Sequence, residues 1–451
     1  MEQATMPLDS SYQETIDYLY ALQKHGVKLA LANSLQLMER MGRPHEMFRS
    51  VHIAGTNGKG STAVFIAQVL MAAGYRVGLY TSPHLVSFTE RIRINGVSIS
   101  EDDVVRLTRR VRDSYQNENA EQRLNPTFFE VTTTVAFTYF AEAGIDIAVI
   151  ETGMGGRLDS TNVITPLVTV ITNIDIEHTE YLGASIEQIA GEKAGIIKSG
   201  VPVIFGTKQP EATAVIEKEA LLKGCRAAQL GRDFYSIATG AVLEPAFDYH
   251  GLKSNYPGMQ LQMIGRHQID NACLAIAALE CLRDAGIAVN EEALRRGISL
   301  ARWEGRMERV ARKPDLYLDG AHNPASAKKL ASVIRELAPL YMNIALVIGI
   351  LGDKDYHNIL AELVPLASRI IVTKPQYARA LDAAVLAAEV RKFHDNVIIM
   401  ESVPDAVRRM TVESAEDDLI VVTGSLYVVG DARAVLVADA GKGGLLAGLK
   451  G

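Results

Sequence analysis

The chain has little cysteine, one tryptophan and no long apolar run. Its three cysteines, Cys225, Cys273 and Cys281, are spread through 451 residues. They lack metal-ligand spacing and are too few for a disulfide framework, so a reducing cytoplasm is the expected setting. No apolar stretch approaches the ~18 residues of a membrane helix, and no membrane span is expected. Met1 to Thr15 has no basic segment followed by an apolar core, which argues against a signal peptide. Positive charge is also short: 46 Lys and Arg against 53 Asp and Glu give a formal net charge of -7. No basic stripe appears, so no nucleic-acid partner is expected. Small anionic ligands stay open, because local charge decides their binding.

The chain does have a strand that feeds a glycine-rich turn. Val51-His52-Ile53-Ala54 reads as a strand, followed by Gly55-Thr56-Asn57-Gly58-Lys59-Gly60-Ser61-Thr62. An apolar helix is expected from Ala63 to about Ala73, closed by Gly74. This context suits phosphate. Glycines let backbone N–H groups approach an oxyanion, and a helix N-terminus adds donors and partial positive charge. Lys59 can reach outer phosphates, and Ser61 or Thr62 a phosphate or its metal. The spacing is not the commonest one, because Gly60 intervenes between Lys59 and Ser61. The plainer alternative is a glycine-rich turn with an incidental lysine.

Helices are expected over Tyr12 to about His25 and Leu31 to about Met41. Arg76 to Tyr80 reads as a strand ending in Thr81-Ser82-Pro83-His84-Leu85, and open α/β sheets bind ligands at such carboxyl ends. Phe88 to Ser98 reads as a loop or hairpin, Glu101 to Tyr115 as a helix, and Gln116 to Asn125 as an exposed loop. A helix from Pro126 to about Glu142 precedes the strand Ile145 to Ile150, which ends in Glu151. A carboxylate there suits Mg²⁺ in an ATPase; a solvated strand-end glutamate is the alternative. Gly153 to Asn162 is a second glycine-rich loop, functional or only a turn. Ser185 and Gln188 form a capping box for a helix carrying Glu192 and Lys193. By spacing alone, His178 and Lys193 are more often structural or solvated than ligands.

After a strand at Val201 to Phe205, a helix at Glu211 to Gly224 and a β-rich stretch at Phe234 to Met263, Gly265 to Asn271 opens an alanine-rich helix. The pattern changes at Trp303, which places a domain boundary there: 1–302 and 303–451. Beyond it, strands and helices alternate regularly, which implies a parallel sheet. Gly441 to Gly451 reads as a mobile tail.

Six motifs occur together and in order: Gly55-Thr56-Asn57-Gly58-Lys59-Gly60-Ser61, Thr81-Ser82-Pro83-His84-Leu85, Glu192-Lys193-Ala194-Gly195-Ile196-Ile197-Lys198, Gly265-Arg266-His267-Gln268, Asp319-Gly320-Ala321-His322-Asn323-Pro324 and Thr423-Gly424-Ser425-Leu426-Tyr427. The set resembles the bacterial folylpolyglutamate synthase/dihydrofolate synthase family, relatives of the Mur peptide ligases, from about Tyr18 to about Ala438. The resemblance implies an α/β fold: a P-loop ATPase domain with a mainly parallel sheet, plus a smaller Rossmann-like C-terminal domain. It implies ATP contacts at Thr56, Asn57, Gly58, Lys59, Gly60, Ser61, Asn271, Arg306 and Asp319. It implies Mg²⁺ ligands at Ser82 and Glu151, with His178 and a carbamylated Lys193 at a second ion, and a monovalent cation besides. Thr127, Phe129 and Asp159 fall where the family binds pterin. His322 and Ser425 fall near the incoming glutamate. Two positions depart from the family pattern: Glu177 stands where Asp is usual, and Glu304 where proline is usual before Gly305.

The implied reaction is ATP-dependent amide formation through an acyl phosphate, with Lys59, Lys193, Asp319 and His322 as the catalytic set. Its partners are ATP, a folate or dihydropteroate, and L-glutamate, and the implied protein is a cytoplasmic monomer. One rival is a Mur-type ligase acting on another carboxylate. Such ligases usually carry an extra domain before the P-loop. A second is a nucleotide switch without ligase activity, which would not need Lys193, His322 or Ser425.

Overall fold

Strands and helices alternate along most of the chain, and the computed structural model describes residues 11–26, 30–116 and 124–441. Most of the loop expected over Gln116 to Asn125, and the tail beyond Gly441, lie outside those residues. The chain divides into two units. The first holds Met1–Ile237, Phe247–Gln260 and Asp270–Ala301; the second holds Ala238–Ala246, Leu261–Ile269 and Arg302–Gly451. The chain therefore crosses between units more than once, rather than a single time near Trp303.

In the first unit, eight strands form one sheet: β1 (Arg49–Ala54), β2 (Val77–Tyr80), β3 (Ile92–Ile94), β4 (Val97–Ser98), β5 (Ile147–Glu151), β6 (Val168–Ile171), β7 (Val203–Phe205) and β8 (Ala227–Gln229). Their order is β4-β3-β2-β5-β1-β6-β7-β8. The run from β2 to β8 is parallel, while β3 and β4 form an antiparallel edge. Asn95 and Gly96 turn that edge hairpin, both with positive φ. The central strands are buried on both faces, which is why they read as apolar runs. Ala227–Gln229 has too little pattern to be read as a strand from sequence. Three more strands, β9 (Tyr235–Ala238), β10 (Ala246–His250) and β11 (Asn255–Gln260), make a separate sheet.

Helix Phe128–Ala143 packs its Val131, Val135, Phe137 and Phe140 with Tyr80, Ala148 and Ile150 in the main core. The helix after β1 runs Lys59–Ala72, four residues earlier than expected. Gly58 precedes it in a left-handed conformation, φ 86°, so Gly60, Ser61 and Thr62 form its first turn. The N-terminal helix is shorter than expected, Tyr12–Ala21, and continues as a 3-10 turn over Leu22–His25.

The second unit holds β12 (Glu308–Ala311), β13 (Asp315–Leu318), β14 (Ile344–Ile348), β15 (Arg369–Val372), β16 (Val397–Ile399) and β17 (Leu419–Thr423). Their order is β12-β13-β17-β14-β15-β16, parallel except for β12. Among the described residues, no helix is long and apolar enough to cross a membrane.

Candidate active site

The strand order sets the carboxyl ends of β2, β5, β1 and β6 side by side. Four sequence-predicted features follow those ends: Ser82 after β2, Glu151 at the end of β5, the glycine loop after β1, and the 172–178 segment after β6.

The glycine loop is held by its neighbour. Thr56 N–H donates to Asn173 O at 2.9 Å, and Asn57 N–H donates to Asn173 Oδ1 at 2.8 Å. Thr172 Oγ1 donates to Asn57 O at 2.7 Å. Lys59 Nζ donates to Gly55 O at 2.8 Å and Thr56 O at 3.1 Å, so its ammonium lies over the loop. A Cβ at position 58 would overlap the Asn271 side-chain amide and force it to shift, and the left-handed φ there favours glycine. Asn271 is thereby brought against the loop.

Glu151 is 4% exposed, and its Oε2 accepts from the Ser82 N–H at 3.1 Å. The pair supplies a hydroxyl and a carboxylate, hard oxygen donors that suit Mg²⁺. Among the described residues, no three His, Cys, Asp or Glu side chains are grouped as a complete metal cage. A Mg²⁺ ion here would therefore keep water or phosphate oxygens in its shell, as Mg²⁺ commonly does. His178 is exposed, with φ 45°, at the start of the short helix Thr179–Leu182.

Lys193 is 1% exposed, and its Nζ lies 2.7 Å from Glu177 Oε1. Burial pulls its pKa down to about 8, against the upward pull of Glu177. Burial would raise Glu177, but Lys193 and Lys59 together hold it near 2. A lysine poised to shed its proton suits carbamylation, which needs the neutral amine.

An aromatic cluster stands on the same unit. Thr127 caps helix Phe128–Ala143, with Glu130 returning the hydrogen bond. Phe129 stacks on Tyr80, with ring centroids 6.0 Å apart. Tyr80 OH shares hydrogen bonds of 3.2 Å with Thr132 and Thr133. A Cβ on Gly153 would come within 2.6 Å of the Phe129 ring, so the second glycine loop lies directly on that ring. Asp159 is 5% exposed. Its oxygens accept from Thr161 N–H, Thr161 Oγ1 and Met154 N–H at 3.0, 2.5 and 2.9 Å.

In the second unit, β13 and β17 are adjacent, so Asp319 and Ser425 stand at neighbouring strand ends. Asp319 accepts from Met307 N–H and Ala321 N–H, both at 3.0 Å. Burial raises its pKa, partly offset by Arg306. His322 Nδ1 lies 2.8 Å from Gly320 O. A carbonyl only accepts, so Nδ1 carries a proton and donates it to Gly320 O. Ser425 Oγ accepts from Val428 N–H at the start of helix Leu426–Gly441.

Sequence reasoning did not find Thr172 and Asn173, which fix the loop across more than a hundred residues. The only signal was their place just after a buried strand. It also did not pair Glu177 with Lys193.

Two family models match the chain. The Mur ligase middle domain matches residues 53–279, and the Mur ligase glutamate ligase domain matches residues 305–426. With the strand-end site, they define a Mur-type ligase. A dihydrofolate synthase/folylpolyglutamate synthase from Bacillus subtilis is 39% identical over 436 residues, covering 94% of this chain and 99% of that protein. A folylpolyglutamate synthase structure from Thermotoga maritima is 39% identical with a TM-score of 0.82, covering 94% of this chain and 96% of that one. A Mycobacterium tuberculosis folylpolyglutamate synthase, solved with ADP and AMPPCP, is 34% identical with a TM-score of 0.86, covering 94% and 99%. The chain belongs to the folylpolyglutamate synthase/dihydrofolate synthase family of Mur ligases.

Proposed function

We propose that this protein is an ATP-dependent ligase that joins L-glutamate to the carboxylate of a folate or of dihydropteroate. The observation that carries the reading is the strand-end array: a held phosphate loop with Lys59, the Ser82–Glu151 pair beside it, and a buried lysine on Glu177. The relatives named above support the acceptor and the nucleotide.

In this reading the acceptor carboxylate attacks the γ-phosphorus of ATP, the bond to ADP breaks, and an acyl phosphate forms. The amine of glutamate then attacks the acyl carbon and phosphate leaves. The first step brings two anions together, so charge neutralisation and positioning matter most. Lys59 and the 55–61 backbone bind the phosphates, with Asn271, Arg306 and Asp319 on the nucleotide. Ser82 and Glu151 would hold one Mg²⁺, and His178 with carbamylated Lys193 a second, supplying positive charge to the phosphate oxygens when bound. Phe129, with Thr127 and Asp159 around it, forms the pterin bed. His322 helps position the glutamate amine or take up its proton, and Ser425 lies by that substrate. No observation among the described residues points to a monovalent cation. A cytoplasmic monomer completes the proposal.

The test is phosphate release with Mg²⁺-ATP and L-glutamate, with dihydropteroate or tetrahydrofolate as acceptor. Turnover with dihydropteroate alone makes the protein a dihydrofolate synthase. Turnover with tetrahydrofolate alone makes it a chain-extending enzyme, and turnover with both makes it bifunctional. No glutamate-dependent release with either acceptor refutes the folate reading.

A further inference from the structure

One buried titratable side chain has no part in the chemistry above. Tyr80, Ile150, His52 and Thr169 are register partners across β2, β5, β1 and β6. Partners in register share a face of the sheet, so this row carries a tyrosine, a histidine and a threonine into the interior. His52 is 0% exposed.

The protons along one path can be assigned. Thr161 Oγ1 lies 2.5 Å from Asp159 Oδ1, and a carboxylate accepts, so the threonine proton points at Asp159. His52 Nε2 lies 2.8 Å from the same Thr161 oxygen. That oxygen has spent its only proton, so His52 is the donor, protonated at Nε2. Its Nδ1 is then a buried acceptor, and it has no partner among the described residues. Burial keeps the ring neutral, with a pKa near 3, and Lys198 adds to the effect.

An unpaired buried acceptor is destabilising, because it has given up water without gaining a partner. An apolar side chain in this strand would avoid that cost, so the histidine earns its place by what Nε2 does. The path continues outward. Asp159 gathers Thr161 N–H and Met154 N–H, which closes the 153–162 loop on itself. Gly153 of that loop lies on the Phe129 ring, which stacks on Tyr80 of the same sheet row.

We infer that His52 is a positioning residue for the pterin substrate. Through Thr161 it fixes Asp159, and through Asp159 it sets the Gly153–Met154 backbone against Phe129. The inference rests on the folate reading above and deepens it. In this role Asp159 shapes the pocket wall from behind, since its carboxylate oxygens are already engaged by its own loop.

The test uses the full-length protein and four variants. His52→Leu and Thr161→Val remove a donor and the hydroxyl. His52→Gln and Thr161→Ser restore them, the glutamine amide placing an N–H near the Nε2 position. Losing a hydrogen bond to a charge-bearing chain predicts a rise of roughly 10–100-fold in acceptor KM for the first two. KM for ATP should stay within about twofold, and the restoring variants should recover most of the acceptor KM; a fold-change this small lies well under one hydrogen bond. Nitrogen-15 NMR of the wild type should show a neutral His52 protonated at Nε2 from about pH 5 to 8, the range where an ordinary histidine titrates.

Equal rises in both KM values, or a loss confined to kcat, would overturn the positioning role. An Nδ1-protonated or titrating ring would overturn the proton assignment. If His52→Leu fails to fold, the Thr161→Val and Thr161→Ser pair decides the matter. A wild-type enzyme with no glutamate-dependent turnover on either pterin acceptor would refute the folate reading, and with it the positioning role for pterin. The NMR result would still judge the hydrogen-bond path itself.

Discussion

Replacing Lys193 by methionine should make the protein more stable and inactive. The reasoning starts from the ion pair with Glu177. Lys193 is buried, and its pKa near 8 lies below the ordinary 10.5 even with the carboxylate 2.7 Å away. Burial therefore costs this ammonium more than Glu177 returns. A group whose folded pKa is depressed in this way favours its neutral form, so a charged Lys193 opposes folding below about pH 8. At 1.36 kcal/mol per pKa unit, the opposing contribution has an upper value of about 3 kcal/mol. Lys193→Met removes that cost and keeps an apolar stem of similar length; Glu177, left with Lys59 as its nearby positive charge, has its pKa pushed up by burial and takes up a proton rather than staying a bare buried charge. The mirror case is Glu177, held near 2 by Lys193 and Lys59. Its contribution stabilises above the unfolded carboxylate pKa and is lost as pH falls through about 2. Glu177→Gln should therefore destabilise, by up to about 3 kcal/mol.

The assay is urea unfolding in bicarbonate-free buffer at pH 7, with thermal midpoints alongside; a gain of this size moves a midpoint by several degrees. The advantage of Lys193→Met should shrink as pH rises above about 8 and vanish near 10.5, where the lysine is neutral in both states. A Lys193→Met protein less stable than wild type at pH 7 would refute the argument. It would mean that the pair stabilises the fold, and that the lysine is kept for structure rather than for chemistry.

Three further outcomes follow from the geometry. Gly58→Ala places a side chain in left-handed backbone, at about 1–2 kcal/mol, and against the Asn271 amide. KM for ATP, measured by phosphate release, should rise about tenfold or more; a change under twofold would remove position 58 from the nucleotide site. Phe129→Ala takes away the ring between Tyr80 and Gly153. It should raise acceptor KM roughly tenfold while leaving KM for ATP alone, as expected for a lost aromatic contact. Glu280→Gln should lower stability by about 2–3 kcal/mol with both KM values unchanged. Glu280 accepts from Tyr249 OH and from the backbone N–H groups of Leu252, Lys253 and Ser254, more donors than an amide oxygen can serve.

The alternation of buried strands and helices was legible because parallel strands covered on both faces must be apolar. The helix start at Lys59 was not. Gly60 and Ser61 are weak helix formers, so the pattern pointed to Ala63. The left-handed Gly58 fixes the true start through backbone geometry. Ser82, Glu151 and the glycine loop could be picked out because each follows a strand that the pattern already showed. Asn173 could not, since its contact with Asn57 spans 116 positions in the chain. His52 was hidden for a different reason. One polar letter inside an apolar strand says nothing about which partner waits on the other side of the fold.

The hydrogen bonds that hold the glycine loop have a consequence for the catalytic cycle. Asn173 and Thr172 fix the loop's shape through contacts within the protein, and Lys59 rests on the loop's own carbonyls. On the proposed reading, an arriving triphosphate would draw the lysine off the loop carbonyls and would not need to organise the loop. Little of its binding energy goes into ordering, and more remains for aligning the reacting phosphorus. The same economy acts in reverse after transfer. On the same reading, a departing diphosphate would leave behind a loop held in form by Asn173 and Thr172, ready for the next nucleotide.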